Sequence, residues 1–152
     1  MRKSIQFRHF HCQDKPACLQ IFDLNCPTYF APNERNDFNA FFDSHVSTNQ
    51  GYEVCLVNNH IVGACGLLGD SLKVKSINWI LIAPEQQGLG IGAPMMEGAL
   101  MLSKQQQLSH INIAASHLSA PFFAKYGAQV VSETTDGWGA GMHRVDMVLA
   151  CQ

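Results

Sequence analysis

Hydrophobic and polar residues alternate in four segments of the first half of the chain, and this pattern predicts four β-strands. The segments cover residues 4–10, 52–57, 61–68 and 72–83. Because only a short asparagine-rich turn separates the second segment from the third, these two are predicted to pair as a hairpin. The fourth segment ends in a continuously apolar run, which is typical of a strand buried on both faces.

Apolar residues recur at helical spacing in four other segments, which are predicted to be α-helices. The first covers residues 14–25, and the second begins at Pro32 with an apolar stripe that reaches Val46. The third covers residues 91–107 and the fourth, which is shorter, covers residues 120–125. Prolines and glycines near the segment ends support these limits.

The rest of the chain predicts three more strands, at residues 111–115, 129–132 and 144–149, with a long loop over residues 133–143. No repeat or linker interrupts the order of elements, so residues 1–152 are predicted to form a single domain. An antiparallel meander followed by one parallel crossover predicts an α/β (α+β) fold. Its sheet is expected to be mixed and mainly antiparallel, with about seven strands and with helices on both faces.

Composition and charge exclude several classes of function. The chain is 47% hydrophobic and 14% charged, which fits a compact domain with buried strands. Its net charge of −2 offers no basic excess for a nucleic acid backbone, so no nucleic acid partner is expected. The apolar runs are too short to cross a membrane and no signal peptide is recognisable, so we expect a cytoplasmic protein without membrane contact.

The six cysteines show no C-x-x-C spacing and have apolar neighbours. They are therefore predicted to be buried free thiols, as expected in a reducing cytoplasm, and no metal is expected. A metal pair formed by His9 and His11 on one face of the first strand is the less favoured interpretation.

The segment PEQQGLGIGAP, between the fourth strand and the third helix, has glycines at 88, 90 and 92. Glycines permit close approach to the backbone, and free N–H groups at a helix start form an anion site, most often for phosphate. A plain turn would need only one glycine. A Walker loop is excluded because Gly-Lys-Ser/Thr is missing. The match to G-x-G-x-x-A leaves a dinucleotide site as an alternative, but residues 109–116 lack the acidic residue that it requires.

The sequence Gln87-Gly88-Leu89-Gly90-Ile91-Gly92 resembles the pyrophosphate loop of the GNAT superfamily N-acetyltransferases, whose motif is [Q/R]-x-x-G-x-[G/A]. The order of predicted elements agrees with that family over nearly the whole chain. The resemblance implies an acetyl-CoA-dependent N-acetyltransferase without a metal, acting on the amine of a small molecule or a peptide N-terminus. The alternative is a catalytically idle acyl-CoA-binding or regulatory domain.

The resemblance also implies how acetyl-CoA would bind. Its pyrophosphate would lie on the glycine loop, and its pantetheine arm would pair with the end of the fourth strand, which a bulge splays away from the next strand. The family's usual thiolate-protonating tyrosine is replaced by Phe123, so that general acid is missing. The implied cofactor-binding residues are Ile80, Leu81, Ile82, Gln87, Gly88, Leu89, Gly90, Ile91, Gly92, Ala93, Ser116 and Phe123.

The catalytic base is less well marked, because residues 72–83 contain no Asp or Glu. Glu34 is one candidate, since the second helix and the loop before it border the acceptor side in the family. His117 is the other, because imidazole titrates near neutral pH. Alternatively, Glu34 is a helix N-terminal acid that favours the helix dipole, and His117 is a solvated loop histidine.

The acceptor site is predicted from two loops. The family places the segment around Tyr29 on the acceptor side, and the glycine-rich loop 134–143 is interpreted as a mobile wall that carries Trp138 and His143. An alternative is a flexible hairpin whose tryptophan packs on the core. The last strands leave an exposed edge, so a homodimer is a further expectation.

Overall fold

The computed structural model describes residues 4–43, 51–69 and 71–151. The predicted end of the apolar stripe at Val46 lies outside these residues. Short 3₁₀ turns at Cys12–Asp14 and Pro84–Gln86 precede two of the longer elements. The helices and strands are β1 (Ile5–His9), α1 (Lys15–Leu24), α2 (Glu34–Phe41), β2 (Tyr52–Val57), β3 (His60–Leu68), β4 (Val74–Ile82), α3 (Gly92–Gln105), β5 (His110–Ser116), α4 (Ala120–Ala124), β6 (Gln129–Gly139) and β7 (Met142–Ala150).

The strands of the described residues form one seven-stranded sheet in the order β1-β2-β3-β4-β5-β7-β6. Every neighbouring pair is antiparallel except β4 and β5, which are parallel and are connected through α3. Helices α1 and α2 contribute to one core cluster, α4 contributes to a second, and α3 contributes to both. The predicted mixed, mainly antiparallel α/β fold is therefore confirmed.

A bulge in β4 separates this strand from β5. Ala64 pairs with Leu81 and Gly66 pairs with Asn78, so β4 carries one more residue than β3 between the two pairs. Trp79 lies in the bulge with a φ of +46°, and its carbonyl oxygen accepts a hydrogen bond of 2.7 Å from the buried hydroxyl of Tyr52. Such a bulge bends the strand that contains it.

The parallel ladder between β4 and β5 ends at the pair Ile77 and Ile113, so the rest of β4 has no partner in β5. Aromatic side chains from α2 and from the loop between α1 and α2 pack beside the bulge. The ring centroids of Phe38 and Trp79 are 4.8 Å apart, and those of Phe30 and Trp79 are 6.3 Å apart. The bulge and the splayed strand that the family resemblance implies are both present.

The predicted loop over residues 133–143 is wrong, because β6 continues to Gly139 and β7 begins at Met142. Most of β6 is exposed, so its sequence carries no alternation between a buried and a solvated face. Pairing with β7 forms the strand instead, with a shift of register between Thr134 and Gly139. Strand β6 lies at one edge of the sheet, and the homodimer expected from an exposed edge stays a prediction.

The six cysteines are free thiols. Burial raises the pKa of the Cys18 and Cys65 thiols to about 12. The prediction that these thiols are buried is confirmed for Cys18 and Cys55, whereas Cys26, Cys65 and Cys151 are only partly buried and Cys12 is exposed. No helix in the described residues is long and apolar enough to span a bilayer.

Candidate functional site

A cavity of about 410 Å³ occupies the gap between β4 and β5. The diverging ends of these strands form two of its walls. The loop between α1 and α2, the segment around the start of α4, and Trp138 of β6 complete the lining. The cavity therefore joins the start of the glycine loop, at Gln87, to the first residue of α2, at Glu34.

The three glycines of the loop serve two different purposes. Gly88 and Gly90 have φ angles of +79° and +88°, which side-chain-bearing residues rarely adopt, and a Cβ at either position would meet no atom within 4 Å. Gly92 instead packs closely, because a Cβ there would lie 2.9 Å from the Phe122 ring. The loop thus leaves open space beside Gly88 and Gly90 while α3 packs against α4.

This open space fits a pyrophosphate at the start of α3. The first N–H groups of an α-helix have no partner within the helix, and they attract anions together with the helix dipole. Helix α3 is 14 residues long and begins at Gly92, and Ile91 and Ala93 flank that position. Leu89 differs from the other residues of the predicted phosphate loop. Its N–H group already donates a hydrogen bond of 3.2 Å to the carbonyl oxygen of Gln86.

Gln87 faces inward and holds the loop to the body of the protein. Its Nε2 donates to the carbonyl oxygen of Ile82 at 3.0 Å and to Oδ1 of Asn25 at 2.7 Å. Asn25 is buried at the end of α1, and its Nδ2 donates to the same Ile82 oxygen at 3.0 Å. These contacts give Gln87 a part in positioning the loop.

Ile80 and Ile82 line the cavity together with Leu81, as the implied pantetheine site requires. Ser116 and Phe123 line the opposite side. The Ser116 hydroxyl accepts hydrogen bonds from the N–H groups of Leu118 and Ser119, and so it also shapes the turn before α4.

Glu34 is the one carboxylate among the described residues that line the cavity. It is 5% exposed, and its Oε2 accepts a hydrogen bond of 2.8 Å from the N–H of Ala31. Burial raises the pKa of this carboxyl group above its usual range, although the bond from Ala31 opposes the rise. A carboxylate with a raised pKa is a stronger base, so this position suits proton transfer.

His117 and His143 lie together but do not line the cavity. Their ring centroids are 4.7 Å apart, and Nδ1 of His117 accepts a hydrogen bond of 3.2 Å from the N–H of His143. Nδ1 of His143 accepts one of 3.0 Å from the N–H of Asp136. Both imidazoles therefore brace the β6–β7 hairpin, and the structure does not bring His117 and Glu34 into one site.

Trp138 forms one wall of the cavity. Its Nε1 donates to the carbonyl oxygen of Ala115 at 2.9 Å, and its own carbonyl oxygen accepts a hydrogen bond of 2.8 Å from Asn33. On the neighbouring residue, a Cβ at Gly139 would collide with Ala31 and Asn33. The expected mobile wall is thus held to β5 and to the loop between α1 and α2.

Tyr29 lines the cavity as predicted, and its side chain is also accessible from outside, at 42% exposed. The sequence alone did not identify Asn25, Phe30 or Trp79 as part of the lining. Phe30 and Trp79 were missed because a hydrophobic pattern does not distinguish an aromatic residue that lines a cavity from one that is packed in the core. Asn25 did carry a signal, since it is a polar residue at an apolar position of the predicted first helix. No group of His, Cys, Asp or Glu suited to a metal is found in the described residues.

Comparisons with known proteins agree with this geometry. Residues 34–151 match the family described as "Acetyltransferase (GNAT) domain". Ard1 from Thermoplasma volcanium has a similar structure, with a TM-score of 0.80, 14% sequence identity, and coverage of 97% of this chain and 98% of that one. The ribosomal-protein-S18-alanine N-acetyltransferase from Escherichia coli has a TM-score of 0.77 and 12% identity, with 98% and 95% covered.

A third similar structure contains a bound cofactor. N-acetylglutamate synthase from Neisseria gonorrhoeae, solved with coenzyme A and N-acetyl-glutamate, has a TM-score of 0.75 and 15% identity. The match covers all of this chain, at 100%, and 36% of that one. No curated protein sequence matches the chain.

Proposed function

The chain belongs to the GNAT acetyltransferase family, and on this premise we propose that it is an acetyl-CoA-dependent N-acetyltransferase. Its acceptor would be the amine of a small molecule or of a peptide N-terminus. The observation that carries the proposal is the cavity between β4 and β5, which joins the glycine loop to a buried carboxylate. Acetyl-CoA, when bound, supplies a thioester whose carbonyl carbon the amine can attack.

The residues around the glycine loop fit the cofactor. The open space beside Gly88 and Gly90 would hold the pyrophosphate against the start of α3. Beyond Ile77, β4 does not pair with β5, so the main-chain N–H and C=O groups of β4 that face β5 form no ladder hydrogen bonds with it. They would bind the pantetheine arm and, near Ile82, would supply an N–H donor to the developing oxyanion.

Glu34 is proposed as the general base. It would accept the proton that the amine nitrogen loses as the C–N bond forms and the C–S bond breaks. The hydrogen bond from Ala31 uses one carboxylate oxygen, Oε2. His117 is a weaker candidate, because it lies outside the cavity and its Nδ1 is bonded to the hairpin backbone.

Phe123 cannot donate a proton to the departing thiolate, although it lines the cavity where the family's tyrosine usually stands. Tyr126, three residues later, does not line the cavity. A free thiol has a pKa of about 8.5, so the thiolate can leave without a dedicated donor. The same substitution supports the second candidate function, which is an idle acyl-CoA-binding or regulatory domain.

The two candidates are separated by measuring binding and transfer on the same sample. Calorimetry gives the affinity for acetyl-CoA, and a panel of amines is then assayed for thiol release, with mass spectrometry of the products. N-acetylated product, formed faster than thioester hydrolysis without an amine, is the expected result. Tight binding of acetyl-CoA without transfer to any amine would support the idle domain instead.

A further inference from the structure

We propose that the acceptor is a small primary amine on an apolar or aromatic skeleton, with no carboxylate or phosphate beside the amine. This inference rests on the proposed function and narrows it. Three features of the cavity carry it, namely its charge, its aromatic lining and the fixed position of Trp138.

The charge of the lining favours a cation and disfavours an acid. Glu34 is its one carboxylate, and no Lys, Arg or His is found among the described residues that line it. Arg144 lies beyond the wall, with its guanidinium carbon 4.8 Å from the centre of the Trp138 ring, and it pairs with Asp146 at 3.0 Å. An acceptor carboxylate would lose its water without gaining a cationic partner, and Glu34 would repel it.

Aromatic rings line the same cavity as this carboxylate. Tyr29 and Phe30 belong to the loop that leads into Glu34, and Phe30 is stacked on Phe22 with ring centroids 4.9 Å apart. Trp79 and Trp138 line the same cavity. Aromatic faces stabilise both an apolar skeleton and an ammonium group, so they match an amine whose remaining atoms are apolar.

The fixed wall limits the size of the acceptor. Trp138 is bonded to Ala115 on β5 and to Asn33 on the loop before α2, so it bridges two sides of the cavity. The volume of about 410 Å³ is near the lower end of the range for small-molecule sites, and it must also hold the thioester. A small acceptor fits this space better than the leading residues of a polypeptide.

The test compares acceptors that differ in one group. 2-Phenylethylamine, L-phenylalaninamide and L-phenylalanine share one skeleton, and only the last carries a carboxylate. Butane-1,4-diamine is a cation without an apolar end, and a tetrapeptide that begins with phenylalanine is a polypeptide-like acceptor. We expect kcat/KM for 2-phenylethylamine to exceed that for phenylalanine by at least about a hundredfold, with phenylalaninamide much closer to the former.

Other rankings would overturn the inference while leaving N-acetyl transfer established. These include equal rates for phenylalanine and 2-phenylethylamine, or a preference for the diamine or the tetrapeptide. If no amine is acetylated, it is the proposed function that fails. Calorimetry of the same amines on protein saturated with coenzyme A then decides the inference alone. Tighter binding of 2-phenylethylamine than of phenylalanine supports it, and equal, reversed or undetectable binding of both overturns it.

A variant pair checks the role assigned to the carboxylate. Glu34→Gln keeps an acceptor for the Ala31 N–H but removes the negative charge. We expect it to reduce the difference in binding between 2-phenylethylamine and phenylalanine at least about tenfold. Glu133→Gln removes a charge from the exposed strand β6 and should leave the difference unchanged. An undiminished difference in folded Glu34→Gln would contradict the electrostatic basis of the selectivity.

Discussion

The Nε2 atom of Gln87 lies 2.7 Å from Oδ1 of Asn25, and both side chains also donate to the carbonyl oxygen of Ile82. Asn25 is buried at the end of α1, and its own carbonyl oxygen accepts hydrogen bonds from the N–H groups of Tyr29 and Phe30. One asparagine therefore connects the glycine loop, the end of β4 and the loop on the acceptor side.

Asn25→Asp should weaken the site as well as the fold. A carboxylate of the same shape cannot donate to Ile82, and burial of its charge is unfavourable. We expect the free energy of unfolding to fall by about 2 kcal/mol and the acetyl-CoA affinity of the folded protein to fall severalfold. Denaturation and calorimetry measure the two effects. Asn36→Asp, on the exposed face of α2, is the control. Unchanged affinity in the Asn25 variant would show that this network does not position the loop.

Gly90→Val should impair acetyl-CoA binding. The substitution adds a β-branched side chain where φ is +88° and places it in the open space assigned to the pyrophosphate. We expect the affinity to fall at least about tenfold, which is about 1.4 kcal/mol, while circular dichroism shows an intact fold. Gly98→Val, at an open position within α3, should bind normally. If calorimetry gives both variants the wild-type affinity, the phosphate site lies elsewhere.

Glu34→Gln should abolish most of the activity. We expect kcat/KM to fall at least about a hundredfold, with partial recovery at high pH as the amine deprotonates in solution. His117→Gln should stay near normal, because that ring lies outside the cavity. A general base acts in its deprotonated form, and burial raises the pKa of Glu34. The wild-type rate should therefore increase as the pH rises through this pKa, which lies above the ordinary range for a carboxyl group. The opposite ranking of the two variants would make His117 the base.

Phe123→Tyr should restore a proton donor. Phe123 lines the cavity, and the new hydroxyl would stand where the family usually has its general acid. We expect kcat to rise with little change in KM. Tyr126→Phe, which removes a neighbouring hydroxyl from outside the cavity, should not change the rate. If kcat stays constant in the Phe123 variant, protonation of the leaving group does not limit turnover.

Asp14→Asn should destabilise the protein only above acidic pH. Hydrogen bonds from Arg8, the shorter of them 2.7 Å, hold the pKa of Asp14 below its usual range. The pair of Arg8 and Asp14 therefore stabilises the folded state at pH values above the pKa of an aspartate in the unfolded chain, which is about 3.9. This stabilisation is lost as the pH falls through the lower pKa of Asp14 in the folded protein. Because Arg8 is partly exposed, we expect a loss of at most about 2 kcal/mol at pH 7.

Urea denaturation at pH 7 and at pH 3 measures this difference. Asp37→Asn, on the exposed side of α2, serves as the control and should change stability little at either pH. A loss that is equally large at pH 3 would mean that the Asp14 side chain acts through packing and not through its charge.

Most of the fold was predictable because its strands alternate locally and its helices carry local apolar stripes. Strand β6 was the exception, since its exposed residues past Ser132 acquire strand structure only by pairing with β7. A single sequence does not contain that pairing as a periodic signal.

The site likewise has a part that could be predicted from local sequence and a part that depends on contacts between distant residues. The glycine loop was visible because its residues are contiguous, and Glu34 became a candidate because the family resemblance places the second helix on the acceptor side. Asn25 was missed because its partners Ile82 and Gln87 are 57 and 62 residues away. The contact of His117 with His143 could not be predicted for a related reason, because it depends on the register of β7 against β5.

The exposed length of β6 affects how the protein behaves at high concentration. Val130 and Val131 are 54% and 65% exposed on an edge strand of eleven residues, which is a common starting point for aggregation. Glu133 and Asp136 follow in the same strand. Their negative charges should repel the same strand of a second molecule and so oppose edge-to-edge pairing. Concentrated salt screens such charges, so purification at low ionic strength should keep this protein dispersed better than salting-out conditions.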